Sequence, residues 1–184
     1  MKPSNKMKII FFMFLLPYLF LAERNALCQE KWKTYSNSKY YFSIKYPEDW
    51  TIDETLASSL SGGVKLLKGI IYDGRFIESD GAEIYISYQI NNEKFTLENW
   101  KNYIKRTTDV EEDLNISGNK AIKLTGQVLI PTETPSPIEN SKEVRIFLIR
   151  DNIRFELIGR TIGQNFKEYS NVINKVFSTF EFTK

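Results

Sequence analysis

Two stretches near the end of the chain constrain its fold more than any others. Val144 to Arg150 and Ile153 to Gly159 are apolar-rich runs separated only by Asp151-Asn152. A two-residue polar loop between such runs predicts a β-hairpin, because Asp and Asn tolerate the left-handed backbone of tight hairpin turns. In the first arm Val144, Ile146 and Leu148 share one face, and Phe147 and Ile149 share the other. Apolar residues on both faces mark a central strand covered on both sides.

The same period of two recurs upstream. Tyr40, Phe42, Ile44 and Tyr46 fall on one face of a strand over 40–46, which Pro47-Glu48-Asp49 stops. Trp50-Thr51-Ile52 resumes extended, and residues 55–63, ending in Gly62-Gly63, read as a loop or helical turn. Val64 to Tyr72 is the next strand; in the one after it Ile84, Ile86, Tyr88 and Ile90 alternate with Glu83, Tyr85, Ser87 and Gln89. After the turn Ser117-Gly118-Asn119, a strand puts Ile122, Leu124, Val128 and Ile130 on one side. Gly126 lies on that side too, a place for a helix to pack close. Residues 131–141, PTETPSPIENS, hold three prolines and no period, and read as a solvated loop.

The period changes twice to that of a helix. Thr96 is placed to cap a helix with Leu97, Trp100 and Ile104 on its apolar side, and Lys105 and Arg106 in the last turn. Phe166, Tyr169, Ile173, Val176, Phe177 and Phe180 recur at helical spacing, followed by a short edge strand at Phe180-Glu181-Phe182. No strand–helix–strand rhythm runs through the chain. The expected class is α+β, with helices segregated from a mainly antiparallel sheet.

The amino-terminal segment points outside the cytoplasm. Lys2, Lys6 and Lys8 precede an apolar run from Ile9 to Ala22, and a short polar stretch ends at Cys28. This is the layout of a secretory signal peptide, and the run is short of the ~20 residues that span a bilayer. Residues 1–28 are read as the signal and 29–184 as a single domain. Two fates remain open for Cys28: cleavage after it, with Ala26 and Cys28 as the small residues, or lipidation of Cys28 as the mature amino terminus.

Composition narrows the chemistry. Without residues 1–28 the Lys and Arg count falls from 25 to 21, and the Asp and Glu count from 23 to 22. A nearly neutral domain with no basic block is not built for nucleic acid. There is no histidine, and Cys28 is the single cysteine. Ser-His and Cys-His nucleophile pairs are excluded, as are zinc sites built from Cys and His. No disulfide holds the fold, so its core must.

Few candidate sites remain. Ser36-Asn37-Ser38-Lys39 matches S-x-x-K, but that pairing needs a helix and the motif precedes a strand. Asp73, Glu78, Asp80 and Glu83 could gather as oxygen ligands for calcium; their spacing fits no EF-hand, and no metal site is assigned. Glu111-Glu112-Asp113 reads as a solvated run after a helix. Carboxylate pairs could support glycoside hydrolysis, yet no pair is identifiable from spacing. No catalytic, cofactor-binding or metal-binding residue is therefore assigned, and no cofactor is expected.

The segment Tyr35-Ser36-Asn37 followed by Tyr41-Phe42-Ser43-Ile44-Lys45-Tyr46-Pro47-Glu48-Asp49-Trp50 resembles the opening of PsbP-like domains. These are relatives of the extrinsic protein of the oxygen-evolving photosystem. The closing hairpin, helix and Phe180-Glu181-Phe182 fit the same pattern. The resemblance implies an α-β-α sandwich around an antiparallel sheet, in exported and often non-enzymatic accessory proteins. No functional residue is carried over. The expectation is an exported, non-catalytic accessory protein that binds a protein or another envelope partner, attached to membrane only through a lipid at Cys28 if at all. The alternative is an exported hydrolase using carboxylates or a Ser-Lys pair.

Amino-terminal sequencing of the native protein should find Gln29, or a blocked, lipidated Cys28. Lipid labelling that vanishes in Cys28→Ser selects the anchor, and a native chain retaining Lys2 to Ala22 refutes processing.

Overall fold

The computed structural model describes residues 31–54, 61–69, 80–130 and 136–183. Cys28, Asp73 and Glu78 lie outside them. The described elements run β1 (Trp32–Asn37), β2 (Phe42–Pro47), β3 (Thr51–Asp53), β4 (Ser61–Gly69), β5 (Gly81–Ile90), α1 (Leu97–Ile104) and β6 (Val110–Ile116). There follow β7 (Asn119–Gly126), β8 (Leu129–Ile130), β9 (Ser136–Pro137), β10 (Ser141–Arg150), β11 (Ile153–Ile162), α2 (Phe166–Ser178) and β12 (Glu181–Phe182). A seven-stranded sheet has the order β3-β4-β5-β11-β10-β7-β6, and every described pairing in it is antiparallel. A smaller sheet, β1-β2-β12, and a ribbon, β8-β9, complete the set.

The hairpin at Asp151-Asn152 forms as expected. Both turn residues have positive φ, 50° and 61°, and Arg150 pairs with Ile153. Strand β10 is interior, with both faces buried. Val144, Ile146 and Leu148 join the main core with Phe155, Leu157, Ile84, Ile86 and the apolar stripe of α2. Phe147 joins a second cluster with Ile122, Leu124 and Trp100 of α1; the Trp100 and Phe147 rings meet edge-on at 5.0 Å.

The fold is α+β, but sheet-dominated rather than a helix-flanked sandwich. A helix of 13 residues is ~20 Å long, whereas seven strands spread over about 29 Å. Helix α2 packs on β11 and β5 of one face. The rest of that core is closed by the small sheet, whose Phe42 ring lies 6.1 Å from Phe155 and 5.4 Å from Phe180. Helix α1 covers only the β7–β10 end of the other face.

Several local expectations change. Gly62 and Gly63 lie inside β4, not in a loop, because tyrosine rings from β5 lie across them; a Cβ on Gly63 would stand 2.7 Å from the Tyr85 ring. Tyr40 and Tyr41 form the β1–β2 turn rather than starting β2. The acidic run Glu111-Glu112-Asp113 belongs to edge strand β6, where charges discourage pairing with another chain. Strand β7 ends at Gly126, so Ile130 belongs to β8, which pairs with Ser136 and Pro137 of β9. Ser141 opens β10, its hydroxyl accepting from Val128 N at 3.2 Å. Thr96 does cap α1, accepting from Asn99 N at 3.1 Å, but the helix stops at Ile104 and Arg106 turns away from it.

Ile173 is 1% exposed, and its methyl carbons lie over Gly159 of β11, where any side chain would collide with them. Ile173→Ala should cost about 2–5 kcal/mol through lost burial and a cavity. Asn174 is exposed, and Asn174→Ala should cost under about 0.5 kcal/mol. Urea midpoints measure both; equal midpoints for Ile173→Ala and wild type would refute this packing.

Candidate functional site on the polar sheet face

Strand alternation puts a second set of residues on the face that α1 only partly covers. Register aligns them in cross-strand rows. In the first row Glu143 of β10 stands opposite Arg160 of β11, which stands opposite Glu83 of β5. The next row holds Arg145, Ile158, Tyr85 and Lys65, and the one after it Phe147, Glu156, Ser87 and Gly63. Cross-strand neighbours lie close enough for their side chains to pair.

Pairing is dense. Arg160 Nε donates to Glu143 Oε2 at 2.6 Å and its Nη1 to Glu83 Oε1 at 3.1 Å. Lys65 Nζ reaches Glu83 at 4.0 Å. Arg106, arriving from the end of α1, donates through Nη2 to Glu143 Oε1 and through Nη1 to Gln127 O at 3.1 Å. Arg145 donates to Asp109 Oδ2 and, at 3.1 Å, to Ile104 O. The Asp109 side chain is 1% exposed and lies over Gly126. The close approach at Gly126 is thus made by this carboxylate and not by a helix.

The charges balance. Glu83, Glu143 and Asp109 are buried or nearly so, and each is met by at least one Arg. Burial opposes the charge on Arg160, but Glu143 and then Glu83 outweigh it and hold the guanidinium pKa above its ordinary value. Glu156 differs. Burial pushes its carboxyl pKa up, offset only in part by Arg145, a hydrogen bond from Ser87 at 3.4 Å, and Arg160. Tyr85 is raised too, by burial and then by Glu156.

The sequence-derived candidates do not converge. Glu83 sits in the ionic row, whereas Asp80 accepts from Asn165 N at 3.0 Å and Asn165 Nδ2 at 2.5 Å at the start of α2. Among the described residues no three acidic, His or Cys side chains gather as a metal set. Ser36 lies in β1 and Lys39 in the following turn, so they are not one helical turn apart. Glu111 bonds Lys101 at 3.0 Å and Lys105 at 2.6 Å, and Glu112 bonds Lys123 at 2.9 Å. Glu143, Arg145, Glu156 and Arg160 were missed. The Asp151-Asn152 turn carried the signal, since that register sets Glu143 against Arg160.

The class of protein is thus an α+β domain with a two-faced antiparallel sheet. No protein-family model matches the chain, and no curated protein matches it. Solved structures do. The cyanobacterial PsbP (CyanoP) from Synechocystis sp. PCC 6803 superposes with a TM-score of 0.55 at 14% identity, covering 85% of this chain and 95% of that one. The fold is therefore PsbP-like. LpqN of Mycobacterium tuberculosis, described as involved in cell envelope biogenesis, gives 0.47 at 8% identity, covering 85% and 93%. A Bacteroides thetaiotaomicron protein gives 0.47 at 14% identity, covering 83% of this chain and 48% of that one.

Glu156 has a testable pH signature. Its folded pKa is raised, so the folded state favours the protonated form. This contribution is present at low pH and is lost as pH rises from the unfolded carboxyl range, about 4, through the folded pKa. Glu156→Gln should therefore be more stable than wild type at neutral pH, the gap closing towards pH ~4. Chemical melts across pH measure it, and a gap constant with pH would refute it.

Proposed function

We propose that the protein is an exported accessory domain of the cell envelope that works by binding a partner, not by catalysis. One observation carries this reading: three acids of the polar face, Glu83, Glu143 and Asp109, are taken up by arginines. Glycoside hydrolysis needs one carboxyl to deliver a proton and a second free to act as base or nucleophile. Glu83 and Glu143 share Arg160, and Asp109 is held by Arg145, so the second partner is missing from this face. The PsbP-like fold supports an extrinsic, accessory role. The basic start and apolar run before Cys28 support export.

A hydrolase reading is favoured by Glu156 alone, whose raised pKa beside Ser87 and Tyr85 suits a general acid.

Chromogenic glycosides and esters should show no turnover above buffer with the purified protein. Cross-linking in intact cells should place the protein and its partner in the envelope fraction. Turnover that Glu156→Gln abolishes would replace this function with a hydrolase, and recovery from the cytosol alone would remove export.

A further inference from the structure

We propose that the tip of the β1–β2 hairpin binds carbohydrate, with the exposed ring of Tyr41 as the platform for a pyranose. The first observation is backbone strain. Six non-glycine residues among those described have positive φ: Tyr41, Lys94, Ser117, Asn140, Asp151 and Asn152. The other five are polar residues; Tyr41, at φ 53°, alone places a bulky ring there. The residue is also 56% exposed, so the fold gains little burial in return. Asn or Gly would sit in this turn with less strain. Strain that burial of the ring does not repay points to a contact made outside the fold.

The second observation is that the tip is held rigid. Asn37 Oδ1 accepts from Lys39 N at 3.1 Å and Tyr40 N at 3.0 Å, and Thr183 N donates to Tyr41 O at 2.8 Å. The Tyr40 ring rests on the Tyr88 ring with centroids 3.9 Å apart, and Lys39 Nζ lies 5.1 Å from the Tyr40 centroid. A tyrosine presented this way loses little entropy on binding.

The third observation is chemical. The turn, Ser38-Lys39-Tyr40-Tyr41, carries no aliphatic side chain. Beside it, Asn37 Nδ2 donates to both Tyr35 Oη and Tyr88 Oη, at 3.3 Å each. A phenol oxygen that accepts in such a bond keeps its own proton for another acceptor. The Tyr41 ring, the Ser38 and Tyr35 hydroxyls and the Lys39 ammonium suit a sugar, whose C–H face lies on the negative face of an aromatic ring while its hydroxyls bond at the edge. An apolar protein surface would bury the exposed Lys39 ammonium without an anionic partner.

The reading deepens the envelope proposal by naming a ligand class. Binding by the purified protein and its cellular location are measured separately, so either can fail alone. Affinity electrophoresis of the full chain through gels containing a β-glucan, an α-mannan or a polygalacturonate tests it. At least one polymer should retard the wild type. Tyr41→Asn should weaken that retention at least about fivefold while melting at or above wild type, and Tyr41→Phe should retain it. Relief by the free monosaccharide assigns a single-ring site, and relief by polymer alone an extended one; both sustain the proposal. It is overturned by no retardation in any gel, by equal retention in Tyr41→Asn, or by a lower melting temperature for that variant.

Discussion

The register of one hairpin sets almost everything else. Asp151 and Asn152 both adopt positive φ, which closes β10 onto β11 with Arg150 opposite Ile153. Side chains alternate along a strand, so this parity decides which residues meet α2 and which lie on the other face. Val144, Ile146, Leu148, Phe155 and Leu157 go to the main core. Glu143, Arg145, Glu156 and Arg160 go to the opposite side. Pairing then carries the parity outwards, through β5 to β4 and through β7 to β6.

The ionic rows guard that register. Moving β11 by two residues in one direction would keep the faces but set Arg145 opposite Arg160. It would also leave Glu143 facing Ile162 across the strands. Like charges directly opposite are destabilising, and a buried carboxylate without a partner costs far more than a lost surface pair. In the native register Glu143 meets Arg106, Arg145 and Arg160 together. Taking these charges out of water is expensive, so their gain lies less in net stability than in selecting one pairing.

Helix α1 ties the two kinds of interior together. Trp100 covers the apolar end of the polar face at Phe147, while the guanidinium of Arg154 lies over both Trp100 and Phe95. The helix ends at Ile104, and the chain beyond it delivers Arg106 and Asp109 to the ionic rows. Had Arg106 continued the helix, as its basic character at a helix end suggests, Glu143 would lose one of its three arginines. Tertiary pairing overrides the weaker helix-dipole preference.

The sequence by itself determined the elements whose cause is local. The Asp151-Asn152 turn, the Thr96 cap, the apolar stripe of α2 and the alternation in β5 are each written in a few neighbouring residues. The α+β class follows from their order. What only the tertiary structure decided involves residues far apart in the chain. Gly62 and Gly63 look like a loop until Tyr88 and Tyr85 lie across them. Glu111 to Asp113 are solvated as expected, but that they form an edge strand is decided by β7 pairing with them, while Lys101 of α1 and Lys105 just after it bond Glu111. The polar face exists only once β5, β10 and β11 lie side by side, bringing Glu83, Glu143 and Arg160 into one row. Local propensity cannot encode such a row, because strand pairing joins positions tens of residues apart while a propensity reads only the next few.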